Sequence, residues 1–180
     1  MRRIVSIWLP HWPIERFRRH QKRKARLREM PPFSPSRAPA KAKEVPPFVL
    51  TVQEQSAVRL HAVDERAARL GLTRGMMLTD AKARLPGLLH APADLEGDRA
   101  ALQGLAEWCL RYSPFVAGDG EDGLLIDATG CAHLFGGEEA MLARMESQFA
   151  KLGLKAYLGM AQTVGAASAL ARFGPPRAIA

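Results

Sequence analysis

Cysteine and long apolar runs are both scarce in this chain, and each shortage excludes a class of protein. The two cysteines, Cys109 and Cys131, form neither a CxxC pair nor the framework of a disulfide-rich domain. The apolar run that follows Met1 stops at Pro10, which makes it too short for a signal peptide, and no later run is long enough to span a bilayer. We therefore expect a cytoplasmic protein with no membrane partner.

Motifs for nucleotide, cofactor or structural metal binding are missing as well. The sequence contains no P-loop, no GxGxxG loop, no nucleophile elbow and no internal repeat. Cys131 and His133 lie close together, but two residues cannot form a structural zinc site. We therefore predict no cofactor and no metal.

Basic residues are abundant by comparison. The chain has 180 residues, with 26 Lys and Arg against 18 Asp and Glu, which gives a formal net charge of +8. Such a charge favours a polyanionic partner, with nucleic acid first and an anionic membrane second. The length allows one domain with a substantial core, or about one and a half small domains.

The most basic stretch is 16–28, which contains eight Lys or Arg residues and no acid. Either this is the solvated face of a helix, or it is a surface that contacts phosphates or a partner. The density of charge favours the second interpretation. The candidate nucleic-acid-binding residues are Arg16, Arg18, Arg19, Lys22 and Arg23.

The patterns of apolar, capping and turn residues predict alternating strands and helices. We predict strands at 4–9, 48–52, 57–63, 114–117, 123–126 and 154–160, and helices at 13–28, 64–69, 79–85, 98–112, 138–152 and 164–173. Asp64 and Thr79 are the predicted caps of two of these helices. Trp108 and Tyr112 lie on the apolar face of the 98–112 helix, where core packing is the expected role.

The stretch 120–137 is the most informative one. Its apolar run, Leu124 to Ile126, lies between Asp122 and Asp127 and predicts a buried strand. A carboxylate at the edge of such a strand suits a metal-dependent phosphoryl-transfer enzyme, since Mg²⁺ prefers oxygen ligands. The alternative is that the two acids belong to a turn and a cap.

This stretch resembles the second acidic motif of the Y-family (translesion) DNA polymerases. When Asp127-Ala128-Thr129-Gly130 is aligned with the Asp-x-Thr-Gly of that motif, the catalytic Asp of the family falls on Asp122 and its catalytic Glu falls on Gly123. The segment from Cys131 to Gly137 is similar to the ImuB-type branch of polymerase-like proteins. The first metal-binding Asp of the family falls on Leu9, and no acid precedes Glu15.

The resemblance implies an α+β fold, namely a ferredoxin-like polymerase palm with an inserted small fingers-like α/β lobe. The palm would comprise 1–29 and 98–180 and would be incomplete at its C-terminal end; a Pro- and Lys-rich linker would occupy 30–47, and the lobe 48–97. We expect parallel central strands that bring residues 9 and 122 together at one end of the sheet, with the strands at 4–9 and 123–126 adjacent.

The resemblance also implies which other positions would bind a nucleotide. The tyrosine and arginine that bind the incoming triphosphate in the family fall on Glu65 and Ala68, and a phosphate-binding lysine falls at or near Ser168. An acid repels a triphosphate and alanine has no donor. We therefore expect no catalytic residue, with Asp122 a remnant and the other ligands lost at Leu9 and Gly123.

The favoured hypothesis is a non-catalytic polymerase-like adaptor in error-prone translesion synthesis. As the resemblance implies, its partners would be DNA, an error-prone C-family DNA polymerase, a recombinase-like accessory protein and, through a missing C-terminal region, a sliding clamp. One alternative is an active Y-family polymerase in which the acids are misaligned; a slip by one residue would place Glu121 and Asp122 on the acidic pair but would turn the strand over. The other is an unrelated basic α+β nucleic-acid-binding module.

Overall fold

Strands and helices alternate along the chain as the sequence predicts. The computed structural model describes residues 2–28 and 46–180, except for the side chains of 26–28. The elements are, in chain order, β1 Ile4–Trp8, α1 Trp12–Arg28, β2 Phe48–Glu54, β3 Ala57–Val63, α2 Glu65–Arg69, α3 Leu78–Arg84, β4 Leu89–Pro92, α4 Leu95–Cys109, β5 Val116–Asp119, β6 Gly123–Asp127, a 3-10 helix Ala132–Phe135, α5 Glu138–Lys151, β7 Tyr157–Ala161, α6 Val164–Phe173 and β8 Ala178–Ile179. The predicted linker at 30–47 lies outside the described residues, apart from 46 and 47.

The chain divides into two compact units. The first unit is Met1–Trp12 with Leu95–Ala180, and the second is Pro13–Asp94. Nearly all of α1 thus belongs to the second unit, whereas the sequence assigned 1–29 to the palm. The assignment of palm, linker and lobe to particular ranges remains a prediction.

The sheet of the first unit has the strand order β5-β6-β1-β7-β8. With α4 and α5 as the two crossovers, β1-α4-β5-β6-α5-β7 is the ferredoxin-like β-α-β-β-α-β arrangement. The chain is therefore α+β, as predicted.

The central strand β1 pairs with β6 and with β7, and both pairs are antiparallel. The predicted adjacency of β1 and β6 is confirmed, but the predicted parallel orientation is wrong. Antiparallel pairing sets the end of β1 against the start of β6, so that Trp8 lies opposite Gly123. This orientation, rather than a parallel one, brings residues 9 and 122 to the same end of the sheet.

One face of this sheet forms the main core with α4 and α5. Val5, Ile7 and Leu9 of the β1 segment are fully buried there. Trp108 and Tyr112 contribute to the same core, because the ring of Trp108 lies 6.0 Å from that of Tyr112 and 5.7 Å from that of Phe149. Their predicted role in packing is confirmed.

The opposite face is covered by α6. Ile4 and Ala161 pack there against Ala167. The close approach requires a glycine in β7, because a Cβ at Gly159 would lie 2.4 Å from the carbonyl oxygen of Ala167. The helix is thereby held against β1 and β7, with its last turn near the candidate site.

The second unit contains a sheet of order β3-β2-β4, with β2 and β3 antiparallel and β2 and β4 parallel. Asp64 caps α2 as predicted, and its Oδ1 accepts a hydrogen bond of 2.8 Å from the backbone N–H of Ala67. The predicted cap at Thr79 is wrong, since α3 begins at Leu78 and its cap position is Met77, without a side-chain hydrogen bond. The short strand β4 was not predicted, because it is mostly exposed and has no alternating apolar pattern.

Within the described ranges 2–28 and 46–180, no helix is long and apolar enough to cross a membrane.

Candidate functional site

The candidate site of the first unit lies where β1 ends and β6 begins. The backbone N–H of Leu9 donates a 2.8 Å hydrogen bond to the carbonyl oxygen of Asp122, and Gly123 follows directly. The structure therefore brings together the three positions that the sequence singled out. The side chain of Leu9 points into the core and is fully buried. It offers no oxygen to a metal.

The carboxylate of Asp122 has partners on both of its oxygens. The indole N–H of Trp8 donates to Oδ2 over 3.0 Å, and the guanidinium Nη2 of Arg172 lies 3.7 Å from Oδ1. About a third of the side chain of Asp122 and of Arg172 is exposed. The acid is thus paired with a cation that belongs to the protein itself.

Trp8 and Arg172 also contact each other and extend the cluster. The guanidinium carbon of Arg172 lies 5.3 Å from the centre of the Trp8 ring, and the ring of Tyr157 lies 5.5 Å from that of Trp8. The ammonium nitrogen of Lys155 lies 5.6 Å from the centre of the Tyr157 ring. These distances are within the range of cation–π attraction. Arg172 therefore contacts an aromatic ring as well as Asp122, and Lys155 lies over the ring of Tyr157.

Neither Trp8 nor Arg172 was singled out from the sequence. Trp8 follows an apolar strand pattern and gave no sign that its N–H would bind a carboxylate. Arg172 lies in the last turn of α6, where a basic residue is ordinary because it stabilises the helix dipole. The one available signal was the proximity of Arg172 in the sequence to Ser168, near which the resemblance places a phosphate-binding lysine.

Gly123 fits its place because the hairpin is tight. A Cβ at this position would lie 2.8 Å from the carbonyl oxygen of Asp119 and 3.2 Å from the Cβ of Asp119. Real Cβ atoms do not approach backbone oxygens so closely, so any larger residue would require the β5–β6 hairpin to shift. A glutamate at this position would not fit the structure as it stands.

These residues do not fit the pair of Mg²⁺ ions that the polymerase resemblance implies. A two-metal site needs several carboxylates that bridge ions about 4 Å apart. Leu9 and Gly123 supply none, and the oxygens of Asp122 already face an N–H donor and a guanidinium. In the part of the chain that the structure describes, no three His, Cys, Asp or Glu side chains come close enough to hold a metal ion.

At the other end of β6, Asp127 begins the Asp-x-Thr-Gly turn. Its Oδ1 accepts a 3.0 Å hydrogen bond from the backbone N–H of Thr129. Hydrogen bonds from the side chain and backbone of Thr129, with a smaller contribution from Arg2, lower the pKa of Asp127 below its ordinary value. Asp127 therefore has a role in the turn, as the cap interpretation of this acid expects.

In the second unit, α2 carries Glu65 and Ala68, the two positions that the sequence resemblance assigns to triphosphate binding. Glu65 accepts a hydrogen bond of 2.7 Å from Arg69, four residues later on the same helix, and Ala68 is exposed. The carboxylate of Glu65 is thus held within its own helix.

The five candidate nucleic-acid-binding residues of α1 separate into two groups. The guanidinium of Arg16 lies 2.8 Å from the carboxylate of Asp94, and that of Arg18 lies 2.6 Å from the carboxylate of Asp64. Arg19, Lys22 and Arg23 are exposed. The first group takes part in the folded structure of the second unit, while the second group presents its charge to solvent.

This chain is similar to a known protein family and to curated members of known name. A family model described as IMS, the impB/mucB/samB family, matches residues 37–172. Protein ImuB of Caulobacter vibrioides, from strains NA1000 and ATCC 19089, is 52% identical over 111 residues, which is 62% of this chain and 24% of that protein. The matched part of the chain thus spans about a quarter of the length of these curated relatives.

Solved structures show the same fold. An insertion ternary complex of Dbh DNA polymerase superposes with a TM-score of 0.73 at 12% identity, covering 98% of this chain and 47% of that one. DinB from Sulfolobus solfataricus superposes with a TM-score of 0.71 at 14% identity, with the same coverage. At such low identity these structures establish the fold, which is that of the Y-family palm and fingers.

Proposed function

Because this chain belongs to the impB/mucB/samB family, we propose that it is part of a non-catalytic, Y-family polymerase-like adaptor that binds DNA in error-prone translesion synthesis. The 52% identity to Protein ImuB and the fold of the Y-family polymerases support a role in translesion synthesis. The absence of catalysis, the DNA contact and the partners are inferences about the whole protein, since the match to these relatives covers only 24% of their length.

The observation that carries the non-catalytic part of the proposal is the pairing of Asp122 with Trp8 and Arg172. A guanidinium does not lose its proton in proteins. A Mg²⁺ ion at Asp122 would meet this fixed positive charge and would have to displace it. Two like unit charges 4 Å apart repel each other by about 1 kcal/mol in water, and by more in a less polar environment. Binding is further disfavoured because Mg²⁺ gives up its bound waters reluctantly.

Two further positions support the same inference. Leu9 is an aliphatic residue buried in the core, and a side chain at Gly123 would collide with Asp119. Restoring either ligand would require the surrounding strands to repack. In the second unit, Glu65 and Ala68 offer no donor to a triphosphate, which accords with a protein that does not bind incoming nucleotide.

The DNA contact is proposed for α1. Exposed cations that neutralise phosphates release counterions, which gives affinity without sequence preference. We propose that Arg19, Lys22 and Arg23 supply most of this attraction, and that Arg16 and Arg18 supply less because each already pairs with an aspartate. The error-prone C-family polymerase, the recombinase-like accessory protein and the sliding clamp remain proposed partners of the whole protein.

Primer extension tests the proposal, with Mg²⁺ and separately with Mn²⁺, on the full-length protein and its Asp122→Ala variant. Dbh DNA polymerase serves as the positive control. We expect no template-directed incorporation by either form, and DNA binding that is equal in the two. Incorporation that is lost in Asp122→Ala would contradict the proposal, because it would identify Asp122 as a working metal ligand.

A further inference from the structure

The second unit contains a groove whose role the proposed function does not explain. Its volume is about 1050 Å³, and α1, the start of β2, α2 and β4 all contribute to its walls. Phe17, Phe48 and Leu89 form its apolar part. The rings of Phe17 and Phe48 are stacked, with centres 5.1 Å apart and planes at 24°. Leu89 is 52% exposed, so a substantial apolar surface in the groove faces solvent.

Charged residues surround this apolar surface. Four basic side chains line the groove, Arg18, Lys22, Arg66 and Arg69, against the two acids Asp64 and Glu65. Two ion pairs lie among them, Arg18 with Asp64 at 2.6 Å and Arg69 with Glu65 at 2.7 Å. A positive surplus remains among the residues that line the groove. The groove is thus apolar inside and basic at its edge.

We propose that this groove binds a short acidic segment of a partner protein, with a leucine or an aromatic residue of that segment as its anchor. The anchor would cover Phe48 and Leu89, and the carboxylates of the segment would lie against Lys22 and the neighbouring arginines. Apolar anchors in a groove with charges at its rim are a usual mode of peptide recognition. The proposal goes beyond the proposed function and does not depend on whether Asp122 binds metal.

Three observations favour an acidic protein segment over other occupants. Single-stranded nucleic acid binds where aromatic faces are free for bases, whereas Phe17 and Phe48 stack on each other and Arg18 lies 5.9 Å from the centre of the Phe48 ring. The carboxylates of Asp64 and Glu65 can accept hydrogen bonds from the N–H groups of a peptide backbone, which a sugar-phosphate backbone lacks. The chain's own segment 30–47 carries three basic residues and one acid, so its charge does not complement the groove.

The test is a selection of random short peptides, displayed on phage, against the whole 180-residue chain. We expect enriched sequences in which Asp and Glu flank Leu, Phe or Trp. The affinity of a synthetic peptide of the enriched sequence should fall about tenfold or more in Lys22→Glu and in Leu89→Gln. Circular dichroism of each variant verifies that the fold is retained.

Two matched variants provide the controls. Lys24→Glu makes the same charge change on the same helix, and Leu70→Gln makes the same change at a leucine that is 50% exposed; neither residue lines the groove. Both should bind the peptide as the unchanged chain does. Enriched peptides without acids, or equal losses in the control variants, would overturn the proposal. So would a single-stranded oligonucleotide whose binding is weakened equally by Leu89→Gln, since that result would identify the groove as a nucleic-acid site.

Discussion

Each unit of this chain contains an aspartate that pairs with an arginine, and the two aspartates differ in what else they do. Asp64, in the second unit, is 5% exposed, caps α2 and lies 2.6 Å from Arg18. Asp122, in the first unit, is about one-third exposed, caps no helix and lies 3.7 Å from Arg172. Because Asp64 is buried and has two roles, we expect it to contribute more to the stability of its unit than the partly exposed Asp122 does.

The largest expected effect is that of Asp64→Ala. It removes the cap of α2 and the ion pair with Arg18, so the free energy of unfolding of the second unit should fall by about 3 kcal/mol. Urea denaturation measures it. Asp80→Ala, at an exposed acid in the first turn of α3, is the matched control and should change stability by about 0.5 kcal/mol. If the two substitutions reduced stability equally, Asp64 would contribute no more to the fold than an ordinary exposed acid.

The next effect concerns DNA. Replacing Arg19, Lys22 and Arg23 by alanine should weaken the binding of a short duplex about a hundredfold at low salt. It should also reduce the slope of log affinity against log salt by about 3. Fluorescence anisotropy over a salt series measures both quantities. The control removes three exposed cations elsewhere, Lys82, Arg99 and Lys151, and should leave the slope nearly unchanged. The same loss in the control would mean that net charge, rather than α1, determines binding.

Gly123→Glu should destabilise the first unit, although it restores an acid beside Asp122. The new Cβ would collide with the carbonyl oxygen of Asp119, at an expected loss of about 2 kcal/mol. Gly118→Glu lies in the same hairpin, has no atom within 4 Å of its added Cβ, and should be tolerated. Thermal unfolding of the two variants compares them directly. A Gly123→Glu protein as stable as the control would show that the hairpin can accommodate a catalytic acid.

Asp122→Ala should have a small effect, below about 1 kcal/mol, because partly exposed ion pairs contribute little to stability. Asp122→Asn, which keeps an acceptor for the indole of Trp8, should have a smaller effect still. Chemical denaturation of both, alongside Asp64→Ala, completes the comparison. A loss of stability as large as that of Asp64→Ala would mean that the first unit requires Asp122 for its folded structure.

The pH dependence of stability should reflect Asp127. Hydrogen bonds from Thr129 lower the pKa of Asp127 in the folded state, so its contribution is present above the unfolded pKa and is lost as pH falls through the folded one. In Asp127→Asn, the decline of stability below about pH 4 should be slightly shallower. Unfolding curves across the acid range measure it. An unchanged acid profile would exclude this contribution.

The sequence was sufficient to predict most of the fold because the relevant signals are local. Strand β1, the β5–β6 hairpin, α6 and the cap at Asp64 follow from apolar spacing and from capping residues near one another in the chain. The meeting of Leu9 with Asp122 was predicted from the motif. The antiparallel direction was not, because strand direction depends on connections that the motif does not specify.

The partners of the charged residues could not be predicted. Trp8 and Asp122 are 114 residues apart, Arg18 and Asp64 are 46 apart, and Arg16 and Asp94 are 78 apart. No local pattern indicates such pairs, so the basic run appeared uniform until its partners were known. The collision that excludes a side chain at Gly123 depends on a few tenths of an ångström in the hairpin, which is likewise beyond sequence patterns.

The most direct test of the central claim, that Asp122 does not bind metal, is a measurement of Mn²⁺ binding. Electron paramagnetic resonance would count the ions bound by the chain, its Asp122→Asn variant and its Arg172→Gln variant, each with primed DNA and a nucleoside triphosphate. We predict the same number of ions and the same affinity for the unchanged chain and for Asp122→Asn, with any ions held by DNA and nucleotide alone. An ion bound by the unchanged chain and lost in Asp122→Asn would contradict the account.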